Sequence, residues 1–527
     1  MTATIATVGD VVALGASRTP GRVAVAARDG RRAAYADLDE RTTRLANALI
    51  GVGLGPGDRV AAWMEDCVEY VELYLATAKA GLVVVPVNAR FTPAEAHHVL
   101  DDSQAAALVW TAGLGGAVES LGLSAGEMIT VSTGGGAEHD FERLLAAGAP
   151  RRPPPPDPDD LYIIGYTSGT TGLPKGAVLT HRSVLAISRL NALSYRLPIG
   201  SVAALTGSMS FVATVPAHII CHLYVGGSTV VMGAWDVDGL LDVIARERVT
   251  FTYVPSPLLG DFTEAAARRP EALAPLESVL HSASRAEPER LAALCEVIGD
   301  RFVEGWGMTE NSGGLATATT RADAAGRTDA ADVFSSVGQA VVESAVEVVG
   351  PDGSPLPHDG ASIGELVIRS PALMAGYWNN AEASAAALRD GWYHSGDLGA
   401  LDPAGYVYIT ERRHDLIVSG GMNVYPSEVE RCLRALVGVR DCAVVGVPHA
   451  RWGQTVAAVL VAEPAARLSE QAVVEHSRRH LASYKKPTHV LFADGLPRTA
   501  NHKLDRNRLR REVMERLGAL TGAAPGR

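Results

Sequence analysis

The sequence predicts an α/β protein. It has a large N-terminal domain (residues 1–411) of α/β subdomains plus a small β-barrel-like part, and a small α+β C-terminal domain (residues 412–527). Three observations carry this. Apolar runs bounded by turn residues alternate with helical patterns from Val11 to Glu304, which implies parallel sheets with helices on their faces. From Val337 to Tyr408 the pattern changes to short alternating strands with hairpin turns. Beyond Arg412 a further set of helices and strands is long enough to stand alone, and 527 residues exceed what one core serves.

Val11 to Leu54 reads as helix, short hairpin, helix, with Gly51 to Gly57 ending the second helix. Arg59 to Trp63, Leu82 to Val87 and Ala106 to Trp110 are strand candidates, with a helix over Val68 to Lys79. Thr92-Pro93-Ala94-Glu95 is a capping box with proline at the first helical position. Pro150 to Asp160 holds six prolines and no apolar core residue, so it is a surface crossing. Leu161 to Ile164 is a strand and His181 to Leu190 a helix. Strands recur at Thr229 to Met232, Thr250 to Val254, Ser278 to His281 and Arg301 to Glu304, with helices at Val237 to Arg246 and Pro288 to Ile298. Pro351-Asp352-Gly353 is a turn and Gly364 to Arg369 a strand. In the last region, Ser427 to Leu436 and Glu470 to Leu481 are helices, and Cys442 to Val447 and Thr455 to Val461 are strands.

Composition narrows the function. Apolar content of 47% and charged content of 20% are ordinary for a soluble globular protein. A net charge of −12 with no basic tract argues against nucleic acid as a partner. Cys67, Cys221, Cys295, Cys432 and Cys442 make no Cys-x-x-Cys pair, so free thiols in a reducing compartment are expected. No basic residue precedes the first apolar run, and Asp10 interrupts it, so a signal peptide is not expected here. No uninterrupted apolar stretch reaches membrane-spanning length, and a cytoplasmic location is expected.

Chemistry concentrates in a few stretches. Tyr166 to Gly176 packs three glycines, three threonines, one serine and one lysine between a strand and a helix pattern. Such a loop presents N–H groups and hydroxyls toward one point, and Lys175 adds charge, so it suits a polyphosphate. A flexible hydroxyl-rich linker has the same composition. It is not the Gly-Lys-Ser/Thr nucleotide loop, because Pro174 precedes the lysine and forces Leu173 extended. In Gly305-Trp306-Gly307-Met308-Thr309-Glu310, glycines flank a tryptophan whose face is free to stack on a purine. Glu310 is a hard carboxylate of the kind Mg²⁺ takes alongside substrate phosphates, although Thr309-Glu310 also suits an ordinary helix start. Asp397, in His394-Ser395-Gly396-Asp397-Leu398-Gly399, is a short acceptor suited to two ribose hydroxyls or to an Asx-turn.

Two more stretches complete the order: Gly420-Gly421-Met422-Asn423-Val424-Tyr425-Pro426-Ser427-Glu428-Val429-Glu430, and Leu496-Pro497-Arg498-Thr499-Ala500-Asn501-His502-Lys503-Leu504. From about Val11 to Glu515 these five motifs resemble, in sequence order, those of the adenylate-forming superfamily: acyl-CoA synthetases, firefly luciferase and peptide-synthetase adenylation domains. The resemblance is nearest the acyl- and aryl-CoA ligases. It implies an ATP- and acid-binding N-terminal domain and a small mobile C-terminal lid that carries a catalytic lysine. ATP, Mg²⁺ and CoA are implied as co-substrates and cofactor, and a monomer or homodimer as the working state.

Position by position, the resemblance assigns ATP to Thr167, Ser168, Gly169, Thr170, Thr171 and Gly172, with Lys175 on the phosphates. It adds Ser282, Ala283, Ser284, Glu304, Gly305, Trp306, Gly307 and Met308 on the adenine side, and Asp397 and Arg412 on the ribose. Thr309 and Glu310 are implied in catalysis, with Glu310 holding the metal. Lys503 would bridge the attacking carboxylate and the α-phosphate, and Gly420 and Gly421 would line the pantetheine channel. Phe211, Val212, Ala213, Ala283, Gly313 and Gly314 would line the acid pocket, and their apolar or small side chains suit a hydrophobic monocarboxylate. Arg285 would be an exposed arginine or the partner of a second carboxylate.

Departures from the family pattern are local. His414 takes the hinge position in Glu411-Arg412-Arg413-His414, and His502 stands where glycine usually precedes the lysine. Glu304 replaces a commoner glutamine, and Phe211 falls where many CoA ligases carry histidine or another aromatic. Adenylation residues are intact, while the hinge and lysine-loop changes touch the second half-reaction. The expected activity is therefore acid–CoA ligation, with amide formation to an amine or amino acid as the alternative. A non-catalytic acyl- or nucleotide-binding relative is a third reading, against which Lys175, Glu310 and Lys503 stand together.

Overall fold

The apolar runs of the N-terminal region become the parallel centres of two large mixed sheets. The computed structural model describes the chain apart from residues 1–4, 125, 168–173, 234–235, 283–285, 287, 321–333, 413–416, 425, 465, 498–503, 505 and 522–527. The described residues cluster into two units. The larger comprises residues up to 89, 99–167 and 175–411, and the smaller comprises residues from 412 onward with 90–98.

In the larger unit, one sheet has nine strands among the described residues. Its order runs Gln339–Ala340, Leu315–Thr320, Phe302–Gly307, Ser278–Ser282, Phe251–Tyr253, Val202–Leu205, Ser228–Val231, Val23–Ala27 and Arg32–Ala34. The six strands from Phe302–Gly307 to Val23–Ala27 are parallel, and the outer ones antiparallel. A second, eight-stranded sheet runs Gly376–Tyr377, Lys175–Thr180, Leu161–Thr167, Val83–Val87, Arg59–Trp63, Ala107–Trp110, Ile129–Ser132 and His139–Asp140. Val83–Val87 is buried at all five positions, as a parallel strand covered on both faces must be. The β-rich stretch forms a five-stranded antiparallel sheet of Ala345–Val349, Gly364–Arg369, Trp392–Leu401, Leu388–Arg389 and Val407–Arg412.

Helices start and stop where local chemistry directs. Thr180 accepts from the Ser183 N–H at 3.1 Å and opens His181–Ser194. Val68–Ala80 ends on Gly81 in the left-handed region at φ 70°. The capping box at Thr92 and Glu95 is formed in both directions, at 2.9 and 3.4 Å. Leu73 to Val87, an apolar stretch broken by Lys79, is the end of one helix and a strand. No helix among the described residues is long and apolar enough to cross a membrane. None of the five cysteines is in a disulfide, and Cys221, Cys295 and Cys442 are buried.

The smaller unit is a five-stranded sheet of Met422–Val424, Ile417–Ser419, Gly453–Ala462, Val439–His449 and His489–Phe492, with helices at Pro426–Arg434 and Glu470–His480. Gly420 and Gly421, at φ 61° and 78°, make the two-residue turn between its first two strands. Two successive positive φ values are what such a hairpin turn demands, so the pair has a backbone reason to be glycine.

Three histidines of the larger unit are buried in neutral form. Burial pushes His181 and His218 down to about 4 and His222 to about 3. An unfolded histidine titrates near 6.5, so the folded state binds fewer protons below that value. Their contribution is present in full above pH 6.5 and is lost as pH falls toward 4, at about 1.4 kcal/mol per unit and per residue. Melting temperature is expected to fall steeply between pH 6 and 4.5, and His218→Phe to flatten that slope. A profile equally steep in the variant would exclude His218 from it.

Candidate active site

The loop expected to hold phosphate joins two antiparallel strands rather than a strand and a helix. Leu161–Thr167 pairs with Lys175–Thr180, with Thr167 opposite Lys175. Lys175 therefore starts a strand, which corrects the reading of Tyr166 to Gly176 as one loop. Pro174 and Gly176 flank the lysine and mask the strand in the sequence pattern, yet Gly176 is forced by packing. A Cβ there would lie 2.5 Å from Ile164 Cγ2. The pair is anchored by Tyr166, whose hydroxyl donates to Asp102 Oδ2 at 2.6 Å.

Gly376–Tyr377 extends this sheet antiparallel to Lys175–Thr180, with Tyr377 opposite Ala177. Tyr377 then links two of the expected catalytic residues. Lys175 Nζ lies 5.4 Å from the centre of its ring, and its hydroxyl donates to Glu310 Oε1 at 2.8 Å. Nothing in the sequence marks Tyr377, since it stands 67 residues from Glu310 and reaches it through strand pairing. Thr309–Asn311 is a single 3₁₀ turn that follows Phe302–Gly307. Glu310 is also held through its main chain, its carbonyl accepting from Met374 N–H at 2.8 Å.

The strand before that turn corrects a second expectation. Trp306 is 6% exposed and does not offer the free face that its flanking glycines implied. Those glycines answer to the neighbouring antiparallel strand instead. A Cβ on Gly305 would lie 2.7 Å from Thr317 O, and one on Gly307 would lie 2.3 Å from Gly314 O. The Trp306 indole N–H donates to Asp397 Oδ2 at 3.0 Å. Asp397 sits in Trp392–Leu401 and is 6% exposed, so it is a buried strand residue rather than an exposed turn. Two residues assigned to adenine and ribose are thereby in direct contact.

The residues expected to line the acid pocket also meet. Gly313, at φ 75°, has the Ala213 backbone so close that a Cβ would lie 2.6 Å from Ala213 Cα. A Cβ on Gly165 would lie 2.2 Å from Val212 Cγ2 and 3.1 Å from Thr309 Cγ2. Gly314 packs against Ile187 and Asn191. Val212 is buried, while Phe211 and Ala213 are exposed. Val212 and Thr309 thus both pack against Gly165 in the Leu161–Thr167 strand, and Gly313 packs against the Val212–Ala213 backbone.

On the adenine side, Ser282 ends the strand Ser278–Ser282, and its carbonyl accepts from Tyr253 Oη at 3.3 Å. Glu304 is buried and bonded to His281 at 2.6 Å. Burial pushes the Glu304 carboxyl above its usual range, and His281 opposes that shift. Met308 is half-buried beside Thr309. Ser168 to Gly172, Ala283, Ser284, Arg285, His414 and Lys503 lie outside the described residues. Arg412 ends the strand Val407–Arg412.

No group of three or more histidine, cysteine or acidic residues among the described residues could hold a metal. Glu310 stands by itself as a half-buried carboxylate with Oε1 taken by Tyr377. One carboxylate oxygen fits Mg²⁺ that keeps its waters and bridges substrate phosphates.

The geometry can be set beside known proteins. Residues 13–378 match the model of the AMP-binding enzyme family, and residues 428–503 match that of the AMP-binding enzyme C-terminal domain. The chain is 36% identical over 500 residues to a feruloyl-CoA synthase of Amycolatopsis sp, covering 94% of this chain and 96% of that one. It is 34% identical over 491 residues to the long-chain-fatty-acid–CoA ligase FadD13 of Mycobacterium tuberculosis, covering 91% and 93%. Among solved structures, the amide bond synthetase McbA from Marinactinospora thermotolerans superposes with a TM-score of 0.86 at 28% identity, covering 96% of this chain and 99% of that one. The motifs, the two large sheets and these matches agree, and the chain belongs to the adenylate-forming AMP-binding enzyme family.

Proposed function

We propose that this protein is a cytoplasmic, AMP-forming acid–CoA ligase acting on a hydrophobic monocarboxylate. The observation that carries the reading is the Lys175–Tyr377–Glu310 chain, next to which Thr309 and Val212 pack against Gly165. It puts a cation, a carboxylate and apolar side chains close together. Relatives of nearly the same length, named for feruloyl-CoA and long-chain fatty acyl-CoA formation, support CoA as acceptor.

A carboxylate is a poor electrophile, because its charge repels nucleophiles and oxide does not leave. In the proposed first step, a carboxylate oxygen attacks the α-phosphorus of ATP, the bond to the β-phosphate breaks, and pyrophosphate departs with that electron pair. Charge spreads over the phosphate oxygens in the transition state, so positioning and electrostatics do most of the work. Lys175 would hold the departing phosphates, with its ammonium kept over Tyr377. Glu310, oriented by the Tyr377 hydroxyl, would hold Mg²⁺, which neutralises phosphate charge when bound. Asp397, fixed by Trp306, would take the ribose hydroxyls, and Arg412 would join it. Lys503, on a C-terminal lid spanning residues 412–527, would bridge the acid and the α-phosphate. In the second step the CoA thiol loses its proton to solvent, its sulfur bonds to the acyl carbon, and the acyl carbon–oxygen bond breaks with AMP leaving on the electron pair.

The amide bond synthetase neighbour supports an alternative acceptor, an amine or amino acid. Purified protein is to be given ATP, Mg²⁺ and pooled hydrophobic acids, with CoA in one tube and pooled amino acids in another. Acyl-CoA in the first tube is the expected product. N-acyl amino acids in the second with no thioester in the first would replace the CoA reading.

A further inference from the structure

Two buried side-chain amides hold one edge of a strand, and the adenylation chemistry leaves both unused. Ile187 and Asn191 stand one turn apart on His181–Ser194, so they share a helix face, and both are fully buried. They lie against Gly314, where a Cβ would clash with Ile187 Cγ1 and come within 2.7 Å of Asn191 Nδ2. Asn311, the residue after Glu310, is fully buried as well.

Both amides are fixed by Leu315, the first residue of Leu315–Thr320. Its N–H donates to Asn191 Oδ1 at 3.3 Å, and its carbonyl accepts from Asn311 Nδ2 at 3.1 Å. A backbone donor faces one amide and a backbone acceptor the other, so neither side chain can exchange its oxygen and nitrogen. The N–H and C=O of one extended residue point to the same edge, which sets the two amides side by side. A donor and an acceptor are left over. Asn191 Nδ2 and Asn311 Oδ1 are buried and have no hydrogen-bond partner among the described residues. Buried polar atoms are costly to strand, and native proteins pair nearly all of them. A wholly apolar acid beside Gly314 would leave both stranded.

We propose that Asn191 and Asn311 determine acid specificity, and that the acid activated here carries a hydroxyl group on its hydrophobic part. This deepens, and rests on, the reading that Gly313 and Gly314 line the acid pocket. A hydroxyl is donor and acceptor in one group, so its oxygen accepts from Asn191 Nδ2–H while its hydrogen goes to Asn311 Oδ1. A keto or ether oxygen would satisfy Asn191 alone, and an ammonium group Asn311 alone. Ile187 gives the adjoining carbon skeleton an apolar contact.

The test is AMP release by the full-length protein with matched acids. Cinnamic acid is set against para-hydroxycinnamic acid, and octanoic and dodecanoic acids against their ω-hydroxy forms. A site built around a hydroxyl rejects an analogue that leaves its own polar groups unpaired, so wild type is expected to favour the hydroxylated member of its best pair by roughly tenfold or more in kcat/KM. Asn191→Leu keeps the size and removes the donor, and the ratio is expected to fall below about threefold, with the loss on the hydroxylated acid. An asparagine that only braces Leu315 would lower stability and both rates together and leave the ratio unchanged, which overturns the inference. So does a wild type that turns over plain acids with no preference for the hydroxyl, an outcome that leaves the acid-ligase reading standing. Where Asn191→Leu does not fold, Asn191→Ser, too short to reach both Leu315 and the acid, is read in the same way. AMP from none of the acids overturns the acid-ligase reading and this inference with it.

Discussion

Lys503→Ala is expected to abolish most adenylation while leaving ATP binding intact. One well-placed charge at the developing transition state is worth roughly 10²- to 10³-fold in rate. The loss should appear in kcat for AMP and pyrophosphate release with an added acid, and calorimetric ATP affinity should change less than about threefold. Thioester formation from chemically made acyl-adenylate plus CoA should persist, because that step needs no attack on phosphorus. Loss of both half-reactions to the same degree would give Lys503 a structural role. Unchanged AMP formation would remove it from the mechanism.

Glu310→Gln comes next in size. The amide keeps an oxygen for the Tyr377 hydroxyl, so the 2.8 Å hydrogen bond and the local fold should survive. What it removes is the charge proposed to hold Mg²⁺. Adenylation at millimolar Mg²⁺ is expected to fall roughly 10²-fold, with the half-saturating Mg²⁺ concentration raised by 10-fold or more. Tyr377→Phe removes orientation without removing charge, and should cost a smaller factor in the same direction. A Glu310→Gln enzyme with wild-type Mg²⁺ dependence would place the metal elsewhere.

Much of the fold was legible because two periodicities are written plainly in the chain. Fully apolar runs such as Val83 to Val87 can be satisfied by a buried parallel strand, and amphipathic stretches such as Val237 to Glu247 by a covering helix. Strands built from small or polar residues were missed. Leu315–Thr320 shows no strong apolar run, and its pairing partners decide it. Lys175–Thr180 was hidden by proline and glycine at its start, although eight-residue spacing across the loop brings Thr167 opposite Lys175.

Site residues divide in the same way. The motif order determined the family, and it is the ground on which Lys175, Thr309, Glu310, Asp397 and Lys503 are proposed as site residues, because that chemistry needs those side chains in short local settings. Sequence patterns could not show that Trp306 would be buried against Asp397, since a strand face is oriented by its neighbours and not by its own flanking glycines. They could not reveal Tyr377 or the His281–Glu304 pair either. Those residues stand 67 positions from Glu310 in one case, and 23 positions from each other in the second. Local sequence sets which groups are available. Which of them touch is set by strand register in the folded sheets, where a contact across neighbouring strands costs no sequence proximity and leaves no local signature.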